Sequence, residues 1–231
     1  MARLHADTLY ARVGKRVFDL VVAAPCLLFL LVPMLAIATA IVVLSGPPVL
    51  FTQERIGRFG CRFRIVKYRT MTRGAEAGGS VTVGGDPRIT NIGRVLREWK
   101  LDELPQLWNV IRGEMSLVGP RADVPGFMDR LRGDDRPILS LRPGLTGPAT
   151  LAYRNEETLL GSQPDPERFN AEILFPDKVR INKAYLENLS FRTDVYYMLA
   201  TLAAIIHSGR GQVGTHASSL QNSSSGFAKR C

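Results

Sequence analysis

From Leu20 to Leu44 the chain carries no charged side chain, and only Pro25 and Pro33 punctuate the apolar run. Basic residues crowd both ends: Arg3, Arg12, Lys15 and Arg16 precede it, and Arg55, Arg58, Arg62, Arg64, Lys67, Arg69 and Arg73 follow. Lys and Arg flanks prefer the cytoplasmic side of a membrane. A straight helix of about 25 residues rising ~1.5 Å each is long enough to cross a hydrocarbon core of ~30 Å, but it would carry one basic flank to the other side. Pro33, near the middle, lacks the N–H that a continuous helix needs. The expectation is therefore a re-entrant helical hairpin that breaks at Pro33 and enters and leaves by one face, its freed backbone groups satisfied within the protein. A single-span anchor is the simpler alternative. The run exceeds the ~7–15 apolar residues of a signal-peptide core.

The 231 residues suit one membrane segment and one domain with a real core. Residues 1–19 read as a basic amphipathic lead-in, with Leu9, Val13, Val17 and Leu20 at helical spacing. Residues 20–46 form the re-entrant membrane helix and 47–207 the compact domain. Residues 208–231 are a Gly-, Ser-, Gln- and Asn-rich tail expected to be disordered. Within the domain, Val49–Phe51 and Cys61–Met71 read as strands around a turn at Gly57–Gly60, and Gly74–Gly85 as a mobile loop. Ile92, Val95, Leu96 and Trp99 share one helical face, and Leu104, Leu107, Trp108 and Ile111 another. The two helices meet at Leu101-Asp102-Glu103. Pro105 suits a first helical turn, which makes Asp102 the expected N-cap. Phe175–Glu187 and Asp194–His207 read as further helices. The fold class is α/β and helix-rich, with surface amphipathic helices and a small sheet.

Thirty Lys and Arg face 21 Asp and Glu, a formal charge of +9. Membrane lipid or phosphate is the natural partner. Nucleic acid is not expected, because aromatics are few and neither a recognition helix nor a stacking pattern accompanies the charge. Cys26, Cys61 and Cys231 lack metal-like or paired spacing, and His5, His207 and His216 are scattered. Disulfide and histidine chemistry are set aside.

Asp102 and Glu103 are the sharpest chemical feature. An ionised Asp can act as a nucleophile or hold a metal, although Asp and Glu at a helix start are also ordinary caps. Arg94, Arg97 and Lys100 recur every third residue just upstream, with Arg88 before them. Two carboxylates beside a basic face suit a diphosphate bridged by a divalent cation, and the same face also suits lipid headgroups. Met115–Arg121 and Leu141–Gly147 each set one Arg beside Gly and Pro, a way to fix a guanidinium and to present backbone N–H groups to an anion.

Lys15-Arg16-Val17-Phe18-Asp19, Phe51–Gly57, Lys67–Met71, Asp86–Thr90, Leu101–Asn109 and Met115–Arg121, in this order, resemble the motifs of the bacterial sugar transferases that are monotopic phosphoglycosyl transferases. The likeness runs from about residue 12 to 207. It implies a catalytic domain at the cytoplasmic face of the bacterial inner membrane that moves a sugar 1-phosphate from a UDP-sugar to a polyprenol phosphate, such as undecaprenyl phosphate, and releases UMP. It implies Asp102 as nucleophile of a ping-pong reaction and as metal ligand, Glu103 as its catalytic partner, and Mg²⁺ as cofactor. Lys67, Arg97, Arg121 and Asp194 match polar positions around the substrates; Arg88 and Arg142 are added from charge and turn context. Homo-oligomers and downstream glycosyltransferases are the expected protein partners. A non-catalytic scaffold that binds lipid headgroups is the alternative from another class. Two departures from the family pattern stand out. Gly147–Glu157 replaces the usual Trp-Ala-Gln-type segment, leaving sugar choice open, and Ala122 stands where Pro is usual, so a looser Gly-Pro-Arg turn is expected.

Overall fold

The computed structural model describes residues 8–75 and 86–208. Most of the expected mobile loop and nearly all of the expected disordered tail lie outside the described residues. The apolar run forms α1 (Lys15–Ser45), which follows directly from a π-helical turn at Tyr10–Gly14. The lead-in is thus continuous with the long apolar helix, and α1 passes through Pro25 and Pro33 without an interruption. The expected split into two half-helices at Pro33 is absent as a break in secondary structure. A proline deletes one helical hydrogen bond, a loss that packing along the rest of the helix can offset.

That packing follows one stripe. Lys15, Asp19, Ala23 and Ile41 are buried, and Leu27, Leu30, Met34, Ile37 and Ala38 pack against the domain between them. The spacing by three and four keeps these residues on one helical face. Beside Pro33, the Tyr68 hydroxyl donates to the Met34 carbonyl at 2.8 Å. The opposite face leaves Leu28, Phe29 and Val32 about three-quarters or more exposed (76%, 83% and 75%). Both ends are tied to the same body. Arg16 donates to the carbonyls of Val110 and Ile111 at 2.5 and 2.7 Å, and Arg69 donates to the Ser45 carbonyl at the other end at 2.8 Å. A cation at a helix C-terminus satisfies carbonyls that have no helical partner.

β1 (Leu50–Ile56) and β2 (Arg62–Tyr68) form an antiparallel hairpin with Leu50 opposite Tyr68 and Ile56 opposite Arg62. Thr90 caps α2 (Asn91–Glu98), its hydroxyl accepting from Gly93 N at 3.0 Å. Of the first expected apolar face Leu96 is buried while Val95 and Trp99 are exposed, and of the second Leu107 is buried while Trp108 is exposed. Lys100 then adopts a left-handed conformation (φ 55°) that turns the chain into a single 3₁₀ turn, Leu101–Glu103, ahead of α3 (Gln106–Arg112). Asp102 is therefore not the N-cap of α3. It sits in its own turn, and the N–H groups of Leu107 and Trp108 are taken by the carbonyls of Leu104 and Pro105.

β3 (Ser116–Val118) and β4 (Gly144–Thr146) pair in parallel. They lead to the short helices α4 (Pro148–Ala152), α5 (Glu156–Gly161) and α6 (Pro166–Phe169), then to α7 (Phe175–Glu187) and α8 (Phe191–Ser208). The fold is helix-rich with small sheets, as the sequence suggests. The main core joins Ala23 of α1, Ile65 of β2, Leu107 and Val110 of α3, and Tyr185 and Leu186 of α7 around Met115, Leu117 and Val118. Buried Asn109 locks α3 to β2: its amide accepts from Val66 N at 3.1 Å and donates to the Arg64 carbonyl at 2.8 Å.

Candidate active site

Four elements converge on the carboxylate pair. β2 delivers Lys67, whose Nζ lies 3.0 Å from Glu103 Oε1. The chain leaving β3 delivers Arg121, whose Nη2 lies 3.8 Å from the same oxygen. α2 delivers Arg97, which reaches the Thr70 hydroxyl at 3.5 Å and forms an ion pair with Glu157 of α5. Asp102 is buried, and its Oδ1 has no hydrogen-bond partner. Arg94 and Lys100 are exposed, so of the three cations at every third position only Arg97 is turned inward.

The two neighbouring carboxyls are driven apart in acidity. Burial, reinforced by the charge of Glu103, raises the pKa of Asp102 against the pull of Lys67, Lys100 and Arg97. Burial also works against the ionisation of Glu103, but Lys67, Arg121 and Lys100 outweigh it and bring its pKa down to about 2. Glu103 is thus a fixed negative charge that organises the cations, and Asp102 is the carboxyl with an uncommitted oxygen. Adjacent groups with opposed pKa shifts mark a division of chemical roles.

Glu103 contributes stability that is present above its ordinary pKa of 4.5 and lost as pH falls through about 2. Lys67→Met removes the leading counter-charge, so the loss is expected at higher pH. The midpoint of acid unfolding, followed by tryptophan fluorescence, should move upward; an unchanged midpoint would count against this pairing.

The remaining expected residues divide. Arg88 sits at the edge, bonded to Asp86 at 2.6 Å and to the Ala75 carbonyl at 2.9 Å, while the charge of Arg97 reaches the same Asp86. Asp194 and Arg142 are engaged elsewhere. Asp194 is fully buried and binds Lys15 at 2.6 Å, Tyr10 at 2.5 Å and the Tyr185 hydroxyl, a brace joining α8 to α1 and α7. Arg142 donates to the Gly113 carbonyl at 2.8 Å, past the end of α3. The glycine loops also differ from expectation. Gly119 N donates to the Thr146 carbonyl at 2.8 Å and Gly144 N to the Pro120 carbonyl at 2.7 Å, so these N–H groups join the loops to each other and do not face an anion. Ala122 is buried in the main core and its carbonyl accepts from Arg55, so the turn is anchored despite the missing proline.

Sequence reasoning missed Arg55, Thr70, Asp123, Glu156, Glu157 and Lys178, whose charges or hydroxyls adjoin this cluster. Arg55 and Thr70 fall inside motifs already singled out. Glu156 and Glu157 fall inside the departing segment. Lys178 carries no signal in its helix pattern. A cavity of about 440 Å³ opens at the C-terminal end of α1 beside Leu44, Arg69, Arg73 and Ile92, and neither Asp102 nor Glu103 lines it. Charge and geometry, not cavity size, locate the chemistry.

Residues 10–208 match the bacterial sugar transferase family. The chain belongs to that family. The chain is 32% identical over 212 residues to the UDP-galactose-lipid carrier transferase of Erwinia amylovora, covering 85% of this chain and 41% of that one. It is 33% identical over 199 residues to the UDP-N-acetylgalactosamine-undecaprenyl-phosphate N-acetylgalactosaminephosphotransferase of Aeromonas hydrophila, covering 83% and 43%. With the UDP-glucose:undecaprenyl-phosphate glucose-1-phosphate transferase of Caulobacter vibrioides it shares 36% identity over 206 residues, covering 83% and 69%. The chain thus spans about two fifths of the length of the Erwinia and Aeromonas relatives.

Proposed function

We propose that this bacterial sugar transferase moves a sugar 1-phosphate from a UDP-sugar to undecaprenyl phosphate or a similar polyprenol phosphate, initiating an exopolysaccharide or glycoconjugate. The observation that carries the reading is the uncommitted Asp102 carboxyl beside Glu103, Lys67, Arg97 and Arg121. The names of the three relatives support the substrate classes. In the first half-reaction, an Asp102 oxygen attacks the sugar-bearing phosphorus, the P–O bond to UMP breaks, and the sugar phosphate is left on the carboxylate. In the second, an oxygen of the lipid phosphate attacks that phosphorus and the bond to Asp102 breaks. Lys67, Arg97 and Arg121 hold phosphate oxygens by charge-assisted bonds.

The orphaned Asp102 Oδ1 fits a divalent cation such as Mg²⁺, which takes one or two protein carboxylates and completes its shell with water and phosphate oxygens. Bound there, the cation supplies positive charge against the repulsion between carboxylate and diphosphate and favours the ionised form of Asp102. A screen of UDP-sugars with undecaprenyl phosphate, read as UMP release in the wild type and in Asp102→Asn, tests the assignment. Full activity of the Asn variant overturns it.

The same reading puts the protein on the cytoplasmic face of the inner membrane, with the continuous helix α1 immersed by its apolar face and both of its ends on that side. The apolar outer face of α1, together with the attachment of both its ends to one body, supports this topology. An impermeant maleimide applied from the cytoplasmic side should label the exposed native Cys61 and an Arg12→Cys variant alike, and should spare Cys26 within the bilayer. Labelling of residue 12 only from the opposite side would establish a crossing helix.

A further inference from the structure

Arg55, within the Phe51–Gly57 motif, has no part in the chemistry above. Its Nη1 donates to the Ala122 carbonyl at 3.0 Å and its Nη2 to Gln53 Oε1 at 2.5 Å, while its Nε is buried without a partner. The next residue, Ile56, donates to the Asp123 carbonyl at 3.0 Å, so β1 is laced to the segment that carries Arg121. The two guanidinium groups feel each other. Burial lowers the pKa of Arg55 and the charge of Arg121 lowers it further, to about 10, so both side chains are cationic at neutral pH.

The other cations are matched by carboxylates. Lys67 has Glu103, Arg97 has Glu157, and Lys178 has Glu156 at 2.6 Å. Among the described residues Arg55 has no carboxylate within ion-pair distance, and Arg121 has only the 3.8 Å contact to Glu103. Arg121 is also the more accessible of the two partners in that contact, at 39% against 13%. Glu103 and Asp123 lend both guanidinium groups counter-charge at longer range, but the buried Arg55 Nε still has no hydrogen-bond partner, a lack that an anion oxygen would fill. Planar guanidinium forks suit phosphate oxygens in particular.

We propose that Arg55 and Arg121 form the subsite for the nucleotide's own phosphate, the group that departs as UMP. The proposal rests on the phosphoglycosyl-transfer reading above. It divides the site: Lys67 and Arg97 serve the phosphate attacked by Asp102, and the Arg55–Arg121 pair receives the charge that grows on the leaving phosphate as its P–O bond breaks.

The test uses the full-length protein in detergent, titrated with UMP and separately with inorganic phosphate. Arg55→Gln should weaken both by about tenfold or more, and Arg55→Lys by less, because the charge is kept and the fork is lost. In the wild type, UMP should shield Arg55 and Arg121 from phenylglyoxal while exposed Arg62 continues to react; this arm decides the matter if Arg55→Gln does not fold. An Arg55→Gln affinity for UMP within about twofold of wild type overturns the proposal. So does weaker UMP binding with unchanged phosphate binding, or modification of Arg55 that UMP does not slow. If turnover survives Asp102→Asn while UMP affinity depends on Arg55, the covalent reading fails and the subsite stands. If turnover is lost in Asp102→Asn while Arg55→Gln binds UMP normally, the subsite fails alone.

Discussion

Asp102→Asn is expected to abolish UMP release and to raise the melting temperature in the same preparation. On the proposed mechanism the variant lacks its nucleophile and the covalent route with it, and a fall of at least about 10³-fold is the scale expected for such a group. The gain in stability comes from the same burial that raises the pKa of Asp102. With a folded-state pKa above the unfolded value, the carboxyl contributes stability while it stays protonated at low pH. That contribution is lost as pH rises from its ordinary 3.8 through the raised value. Asparagine keeps the shape and never ionises, so the variant should lose this pH dependence and melt higher at neutral pH. A gain on the order of 1 kcal/mol corresponds to about 2–4 °C for a chain of this size. Differential scanning fluorimetry across pH reads it directly. A variant that melts lower than wild type at every pH would show that ionised Asp102 supports the fold, and would remove the case for a carboxyl kept out of its preferred state.

Gly119→Ala is expected to be strongly damaging, as are the neighbouring Gly144→Ala and Gly147→Ala, whose added Cβ atoms would meet the same two loops. A Cβ at Gly119 would sit 2.3 Å from the Arg142 carbonyl oxygen and 3.0 Å from Gly144 N. Both are backbone atoms, and Gly144 N is held by Pro120 in the parallel pairing of the two loops. The clash therefore has no rotamer to relieve it, and β3 must separate from β4. Overpacking of this kind costs ~3 kcal/mol or more, and Arg121 moves with the strand that precedes it. Urea unfolding should show the loss, and UMP release should fall in the fraction that still folds. A variant with wild-type stability would mean that the two loops are less closely packed than this geometry requires.

The larger elements were legible in the sequence for a simple reason. Arg62–Tyr68 and Phe175–Glu187 follow local patterns of alternation and helical periodicity, which act within one element, whereas the local pattern marks β1 only as far as Phe51 and the strand runs on to Ile56. The carboxylate pair was legible because acidic neighbours beside a row of cations are unusual. Its setting was not, since Asp102 reads equally well as a cap until the left-handed Lys100 separates it from α3. The partners Glu157, Lys178 and Arg55 come from α5, α7 and β1, and nothing local ties those positions to residue 102. Asp194 was misplaced for a related reason. Its assignment rests on a resemblance of motifs, which says nothing of the Lys15, Tyr10 and Tyr185 that surround it in three dimensions.

The double attachment of α1 has a mechanical meaning. Arg16 fastens one end of the helix to α3 and Arg69 fastens the other beside β2, so the helix cannot tilt independently of the body. In the proposed membrane setting helix and domain would move as one float, and the depth at which the apolar face settles would set the height of Asp102 above the acyl chains. On that proposal bilayer thickness becomes a control on turnover: a membrane that lifts or sinks the float by a few ångströms would move the carboxylate off the plane of the lipid phosphates, with no change inside the protein.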